Sequence, residues 1–245
     1  MSMFRVLHAE LLKLKRTIAF RVIFVAPVLV ALLQFLVLLK TRQFGQSFSL
    51  WDTMPRSTLS VWAVFMLPLL ITLETSLISG IEHGEKQWKH IFALPVRRHT
   101  VYLAKFTVAQ LLIFTSTAIL CVLTVLVGLV GMRLRPELAD SGSPHYGWLF
   151  KYGTLVWLAS WLILAIHTWI AIRWSSFTIA LSAGIGGTFF AVFAASAQLS
   201  KYYPWLLPLN VFSDDRFVAA LTMGVIGGVV VMSAACFELA RRDVT

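Results

Sequence analysis

The sequence contains little charge. Asp, Glu, Lys and Arg make up 13% of its 245 residues, whereas soluble domains carry roughly 25%. Hydrophobic residues make up 58%, and the mean hydropathy is +0.80. Because so few charges cannot cover the surface of a soluble protein, the composition predicts an integral membrane protein.

The sequence also lacks the motifs of catalysis and metal binding. Its two cysteines, Cys121 and Cys236, lie inside apolar runs and have no second Cys or His at metal-ligand spacing, so neither a disulfide framework nor a metal site is predicted. There is no GxxxxGK[ST], no HExxH and no nucleophile elbow. We therefore expect no catalytic residue, no bound cofactor and no ATP hydrolysis by this chain.

What the sequence does have is an excess of positive charge and long apolar runs. The formal net charge is +10, but the basic residues flank the apolar runs. Such residues set membrane topology and contact anionic headgroups. No basic face with interleaved aromatic residues stands apart from these runs, so nucleic-acid binding is not predicted.

The apolar runs predict an all-α membrane protein with six transmembrane helices in one domain, residues 1–245. The predicted spans are residues 20–39, 59–81, 101–130, 149–172, 177–197 and 217–239. Polar loops are predicted over Lys40–Ser57 and Gly131–Phe150. The third run exceeds what a bilayer needs, so its beginning, with Lys105, is expected to project into water.

Residues 1–19 are predicted to form an amphipathic helix. One face carries Phe4, Leu7, Leu11, Leu14 and Ile18, at helical spacing. Such a helix lies in the membrane interface. An alternative is a cytoplasmic extension of the first span. Thirteen of the 21 Lys and Arg residues lie in or just after this helix, in the stretch between spans two and three, at Arg173 after span four, or at the C-terminus. Both termini are therefore predicted to be cytoplasmic.

The longest charged stretch is Ile81–Lys105, between spans two and three. Within it, Trp88, Ile91 and Phe92 form a short apolar stripe at helical spacing, and Pro95 ends the helix. Residues 82–100 are therefore predicted to form a cytoplasmic elbow with a short helix and an aromatic anchor. This shape suits a socket in a partner protein; alternatively, the helix contacts only lipid headgroups.

This stretch resembles the signature of type-2 ABC exporter permeases, in particular those of lantibiotic and bacitracin immunity transporters. The shared features are an acidic residue that ends span two, a Gly, a Trp-Lys pair, a Leu-Pro turn, basic residues, a Tyr, and a Lys that opens span three. This chain supplies Glu82, Gly84, Trp88-Lys89, Leu94-Pro95, Arg97-Arg98, Tyr102 and Lys105. Ala9–Thr17 and Tyr202–Pro208 also resemble that group.

The resemblance implies a coupling helix that contacts a separate ABC ATP-binding subunit, which would hold ATP and Mg²⁺. The implied coupling residues are Glu82, His83, Gly84, Trp88, Lys89, Phe92, Leu94, Pro95, Arg97 and Lys105. It further implies a connector helix at residues 1–19, short re-entrant helices over Ser200–Asp215, and a second permease chain. The expected activity is export of an amphipathic molecule, such as a peptide antibiotic, across the bacterial cytoplasmic membrane.

A few polar residues lie inside the predicted spans. Glu74 is expected to pair with Lys105 or an elbow cation, or else to lie on the substrate path or in a gate. Gln34 and Gln198 are expected to form interhelical hydrogen bonds or to contact substrate, and His167 is expected to be a hydrogen-bonded packing residue. Gly224 and Gly228 form a GxxxG motif, which packs helices within one chain or between two copies.

Two other functional classes stay open from the residues alone: an ion or small-solute transporter that works without ATP, and a membrane scaffold subunit. Only the ABC permease requires the elbow to be buried in a soluble partner.

Overall fold

The computed structural model describes residues 3–15, 17–40, 49–84, 98–135, 142–174, 176–195 and 198–241. This part of the chain is helical and contains no strand. The all-α class predicted from composition is therefore confirmed. The helices are α1 (Met3–Leu14), α2 (Ile18–Lys40), α3 (Leu50–Val61), α4 (Leu67–Gly84), α5 (Arg98–Leu134), α6 (Tyr146–Ala159), α7 (Trp161–Arg173), α8 (Phe177–Ala194), α9 (Leu207–Asn210), α10 (Phe217–Thr222) and α11 (Gly228–Arg241).

Two π-helical turns and two short 3₁₀-helices complete the described part of the chain. The π turn Trp62–Met66 joins α3 to α4 without a break, directly before Pro68, which has no N–H to donate to the preceding turn. The π turn Met223–Gly227 joins α10 to α11. The 3₁₀-helices Gln198–Tyr202 and Pro204–Leu206 lead into α9.

Within the described residues, five helical stretches are long and apolar enough to cross a membrane: Ile18–Lys40, Leu50–Ile81, His99–Leu134, Phe177–Ala194 and Phe217–Leu239. A sixth is the pair α6–α7, which is bent by 41° at its break. The six predicted spans are matched if this bent pair crosses the membrane as one unit. The predicted span 149–172 corresponds to this bent pair.

The bend lies at Ser160. Its hydroxyl donates to the carbonyl oxygen of Trp157 at 2.7 Å, and such bonds from Ser back to the preceding turn bend helices. The last span also approaches closely here: a Cβ built on Gly224 would lie 2.6 Å from the Cα of Ala159. One built on Gly228 would lie 2.9 Å from the carbonyl carbon of Trp161. The GxxxG motif thus packs within the chain.

The second half of the predicted loop Lys40–Ser57 is helical instead, because α3 begins at Leu50. Leu50, Trp51 and Met54 are buried in one cluster with Leu38 of α2. The indole of Trp51 occupies the space beside Gly128 of α5, where a Cβ would clash with it. This burial offsets the hydrogen bond that the helix loses at Pro55.

Helix α5 is the central element and is longer at both ends than the predicted span 101–130. It packs along α2, where Ser116 donates its hydroxyl proton to the carbonyl oxygen of Ile23 at 2.8 Å. On another side, the indole of Trp62 donates to the hydroxyl of Thr117 at 3.2 Å. Apolar residues of α2, α4, α5, α6 and α7 form one continuous core around it.

Short helices do precede the last span, as predicted over Ser200–Asp215. The amide of Asn210 donates to the carbonyl oxygen of Ser200 at 3.0 Å, and Arg216 donates to the Ser200 hydroxyl at 2.7 Å. The hydroxyl of Tyr203 donates to the carbonyl oxygen of Gly187 at 3.0 Å. These contacts hold the segment against α8; its position on the outer side of the membrane stays a prediction.

Candidate coupling site

The N-terminal helix α1 packs on α5 with a face that differs from the predicted one. Its buried residues are Val6, Glu10 and Leu14, one turn apart. The predicted apolar face points away from the bundle, because Phe4 and Ile18 are among the most exposed apolar side chains, at 76% and 64%; its place in the membrane interface stays a prediction. An acidic residue therefore lies at the centre of the packed face, where the periodicity of apolar residues alone could not place it.

Glu10 is the centre of a buried ionic cluster. Its Oε2 accepts a hydrogen bond from Nζ of Lys105 on α5 at 2.9 Å, and its Oε1 accepts one from Nζ of Lys13 at 2.7 Å. Glu10 is 5% exposed and Lys105 1% exposed, whereas Lys13 is partly open to solvent. The pair between Glu10 and Lys105 is thus a buried salt bridge between two helices.

Two opposing influences set the charge of Glu10. Burial is the largest and by itself raises the pKa of its carboxyl group. The charge of Lys105 and the hydrogen bonds from Lys13 and Lys105 act in the opposite direction and together outweigh burial, so that the pKa of Glu10 is held below its usual range. The carboxylate is therefore ionised at neutral pH, and the cluster consists of two cations around one anion.

The sequence predicted that Lys105 projects into water. This prediction is wrong, because Lys105 is buried inside the packed end of the bundle. It lies seven residues, or roughly 10 Å, beyond the start of α5 at Arg98. Tyr102, one turn earlier, is also buried and contacts a different set of helices, in a cluster with Ile172, Ala235 and Leu239. The first two turns of α5 are consequently held by α1 on one side and by α7 and α11 on the other.

A second polar contact lies at this end of the bundle. Glu238 of α11 accepts a hydrogen bond from the indole N–H of Trp169 at 2.6 Å. It also forms an ion pair with Arg173, whose Nε lies 3.0 Å from its carboxylate. Both partners are in α7. The sequence had indicated Arg173 only as a topology signal and had not indicated Glu238. Because these residues surround Tyr102 and Lys105 lies one turn further along α5, helix α1, the start of α5 and the ends of α7 and α11 lie at the same end of the bundle.

The predicted elbow residues fall into two groups. Glu82, His83 and Gly84 form the last turn of α4. The remaining coupling residues except Lys105 lie outside the described residues: Trp88, Lys89, Phe92, Leu94, Pro95 and Arg97. The segment between α4 and α5 is therefore residues 85–97, shorter than the predicted elbow 82–100. Its helix and its contacts stay predictions.

Glu74 lies in the middle of α4 and is fully buried. Neither of its carboxylate oxygens has a hydrogen-bond partner within the described part of the chain. The predicted pair with Lys105 is wrong, because the ammonium group of Lys105 binds Glu10 on another helix. A role on the substrate path or in gating stays a prediction.

The other predicted intramembrane polar residues include two with partners. The amide nitrogen of Gln34 donates to the hydroxyl of Ser57 at 3.3 Å, an interhelical hydrogen bond as expected. His167 is buried, and its Nε2 lies 3.5 Å from the hydroxyl of Thr72. That hydroxyl donates its own proton to the carbonyl oxygen of Pro68, so towards His167 it is a hydrogen-bond acceptor for Nε2–H. Nothing is described for the Gln198 side chain.

The fold and this site define a class of protein: a multi-pass helical membrane protein whose apolar side chains face outward along the spans and whose polar contacts lie inside. Residues 6–195 match the family of ABC-2 family transporter proteins. The chain belongs to this family and is a membrane component of an ABC transporter. No curated protein matches the sequence.

Among the described residues, no group of three potential metal ligands occurs.

Proposed function

We propose that this chain is the permease subunit of an ATP-driven exporter. It moves a hydrophobic or amphipathic molecule, such as a peptide antibiotic, out of the cytoplasm or the inner leaflet. A separate ABC ATP-binding subunit holds ATP and Mg²⁺ and contacts residues 82–100. Two permease chains face each other in the bacterial cytoplasmic membrane, with the termini of each on the cytoplasmic side.

The observation that carries this proposal is the buried salt bridge between Glu10 and Lys105. Residues 85–97 connect α4 directly to α5, so a displacement of this segment by a partner acts on both helices. Because Lys105 lies two turns into α5, its bond to Glu10 passes the displacement on to α1. Helix α1 is joined to the first span, α2, by only three residues, so the cluster links the segment to the first three spans.

The cluster is suited to this task because it is rigid. Both charges are buried and hydrogen-bonded, and breaking such a pair leaves an uncompensated charge, which costs about 3–5 kcal/mol. A displacement of α5 by an ATP-driven partner therefore moves α1 with it rather than separating the two helices. A surface ion pair, worth 0–1 kcal/mol, would not transmit force in this way.

The first test is purification of the tagged chain in mild detergent, with identification by mass spectrometry of the proteins that accompany it. We expect a stoichiometric soluble subunit with a Walker sequence. A chain that purifies alone and transports a solute in liposomes without ATP would contradict the proposal.

A second test examines the elbow in the purified complex. Trp88→Ala and Glu82→Ala are expected to lower ATP-dependent bacitracin export, used as the probe, while the permease stays inserted and ATP hydrolysis continues. Trp174→Ala, which removes an exposed indole from the turn between α7 and α8, is the matched control. If both elbow variants export bacitracin at the rate of the control, the proposal that this segment couples ATP hydrolysis to export is wrong.

A further inference from the structure

A cavity of about 210 Å³ lies at the end of the bundle where α3 and α6 begin. Its described lining residues are Trp51, Asp52 and Arg56 of α3, together with His145 and Trp148 at the start of α6. The starts of α3 and α6 thus line an open cavity that combines ionic groups and two indole rings. This site lies on different helices from the coupling cluster.

Among the ionic groups of the cavity, the guanidinium group of Arg56 is available to bind a ligand. Asp52 and Arg56 lie one helical turn apart, a spacing at which opposite charges commonly pair with each other. Here Oδ1 of Asp52 instead contacts Nδ1 of His145 at 3.3 Å. Among the described residues, the Arg56 guanidinium forms no hydrogen bond or ion pair. Its five N–H donors are therefore open to a ligand in the cavity.

The helix ends add to the positive potential. Ser49 and His145 precede α3 and α6, and neither side chain caps its helix. The first N–H groups of a helix have no partner inside the helix and attract anions. In α3, the carboxylate of Asp52 lies in the first turn and offsets this field, whereas α6 has no acidic residue in its first turn. The α6 side of the cavity is thus the more favourable for an anion.

We propose that this cavity binds the phosphate group of an amphiphile, with Arg56 as its principal ligand. A guanidinium group binds phosphate through two parallel hydrogen bonds, and the start of α6, which lines the cavity through His145 and Trp148, is the nearest source of further donors. Phosphate fits better than a carboxylate, because its oxygens can be shared between Arg56 and the N–H groups of α6.

The two indoles indicate where the rest of the ligand lies. Trp51 is almost fully buried and donates its N–H to the carbonyl oxygen of Gly142 at 3.1 Å. Trp148 is only partly buried and stacks on Tyr152, with ring centroids 4.4 Å apart. Indoles of this kind are concentrated at membrane–water interfaces, at the level of lipid headgroups. The ligand is therefore expected to carry its apolar part beside Trp148 and its phosphate at Arg56.

The test measures binding to the purified chain in a phosphate-free glycoside detergent by microscale thermophoresis. The probes are dihexanoylphosphatidylcholine, dihexanoylglycerol, which has the same chains without the phosphate, and inorganic phosphate. Arg56→Gln is the test variant and Arg56→Lys the conservative one. Arg133→Gln is the matched control, because Arg133 is exposed in the last turn of α5, at the same end of the bundle, but does not line the cavity.

We expect the phospholipid to bind and Arg56→Gln to weaken it at least about tenfold. Arg56→Lys should lose less of the affinity for the phospholipid, and the affinity of Arg133→Gln should stay within about twofold of the wild-type value. If inorganic phosphate competes at equal concentration, the site recognises the free ion; if it does not, the site recognises a lipid headgroup. Equally tight binding of dihexanoylglycerol, no phospholipid binding, or equal losses in Arg56→Gln and Arg133→Gln would overturn the proposal.

Discussion

Neutralising Glu10 is the sharpest test of the coupling cluster. In Glu10→Gln the side chain keeps its shape, but Lys105, which is only 1% exposed, loses its ion pair with Glu10. Two further variants complete the series: Lys105→Met, and the double change Glu10→Gln/Lys105→Met. Lys13→Met serves as the control, because Lys13 binds the same carboxylate from a position that is partly open to solvent.

The expected magnitudes follow from burial. Removing one partner of a buried pair costs about 3–5 kcal/mol, because the remaining charge is uncompensated. For a chain of this length, this lowers the unfolding temperature by on the order of 10 °C. The double variant removes both charges, so it should recover most of the loss. Lys13→Met should cost no more than about 1 kcal/mol, since exposed pairs contribute little.

The assay is thermal unfolding of the purified chain in detergent, monitored as the fraction of the protein that stays monodisperse. ATP-dependent export is measured in parallel. If the cluster transmits force, the double variant is stable but exports poorly. If Glu10→Gln unfolds at the same temperature as Lys13→Met, the salt bridge does not hold α1 on α5 and the argument is refuted.

Three further predictions concern pH, glycine packing and Glu74. Because the folded pKa of Glu10 is lowered, its contribution is complete above pH ~5 and disappears as the pH falls through that pKa; the stability gap between wild type and Glu10→Gln, measured by thermal unfolding, should therefore close only in acid. Gly224→Ala should cost about 1–3 kcal/mol by forcing a methyl group against Ala159, whereas Gly186→Ala, with open space around it, should cost far less in the same assay. Glu74→Gln should unfold within a few degrees of the wild type, because no described hydrogen bond is lost; a loss as large as that of Glu10→Gln would reveal a strong partner.

The spans could be predicted because apolar length is a direct physical requirement of the bilayer. The buried charges could not, because periodicity assigns charged residues to the outside of a helix. Glu10 carried one usable signal: it is the only Asp or Glu before Asp52 in a strongly basic segment. The pairing of Lys105 with Glu10 rather than Glu74 depends on which helix packs on α5, and no local pattern specifies this.

The start of α3 and the bend at Ser160 were missed for a different reason. Pro55 and Asp52 are typical of loops, and only the burial of Leu50, Trp51 and Met54 against a neighbouring helix outweighs that preference. The bend combines the local bond of the Ser160 hydroxyl to Trp157 with the close approach of Gly224 to Ala159. The burial of α3 and the approach of Gly224 are tertiary effects, which the local sequence does not specify.

The separation of Glu10 and Lys105 has a consequence for biosynthesis. The two residues lie 95 positions apart, so at about 5–20 residues per second the ribosome needs roughly 5–20 s to synthesise Lys105 after Glu10. During this time α1 has left the ribosome but has no α5 to pack on. Lys13, on the same helix, is then the nearest cation to Glu10. The first helix to be made thus takes its final position only after the first half of the membrane domain has been inserted.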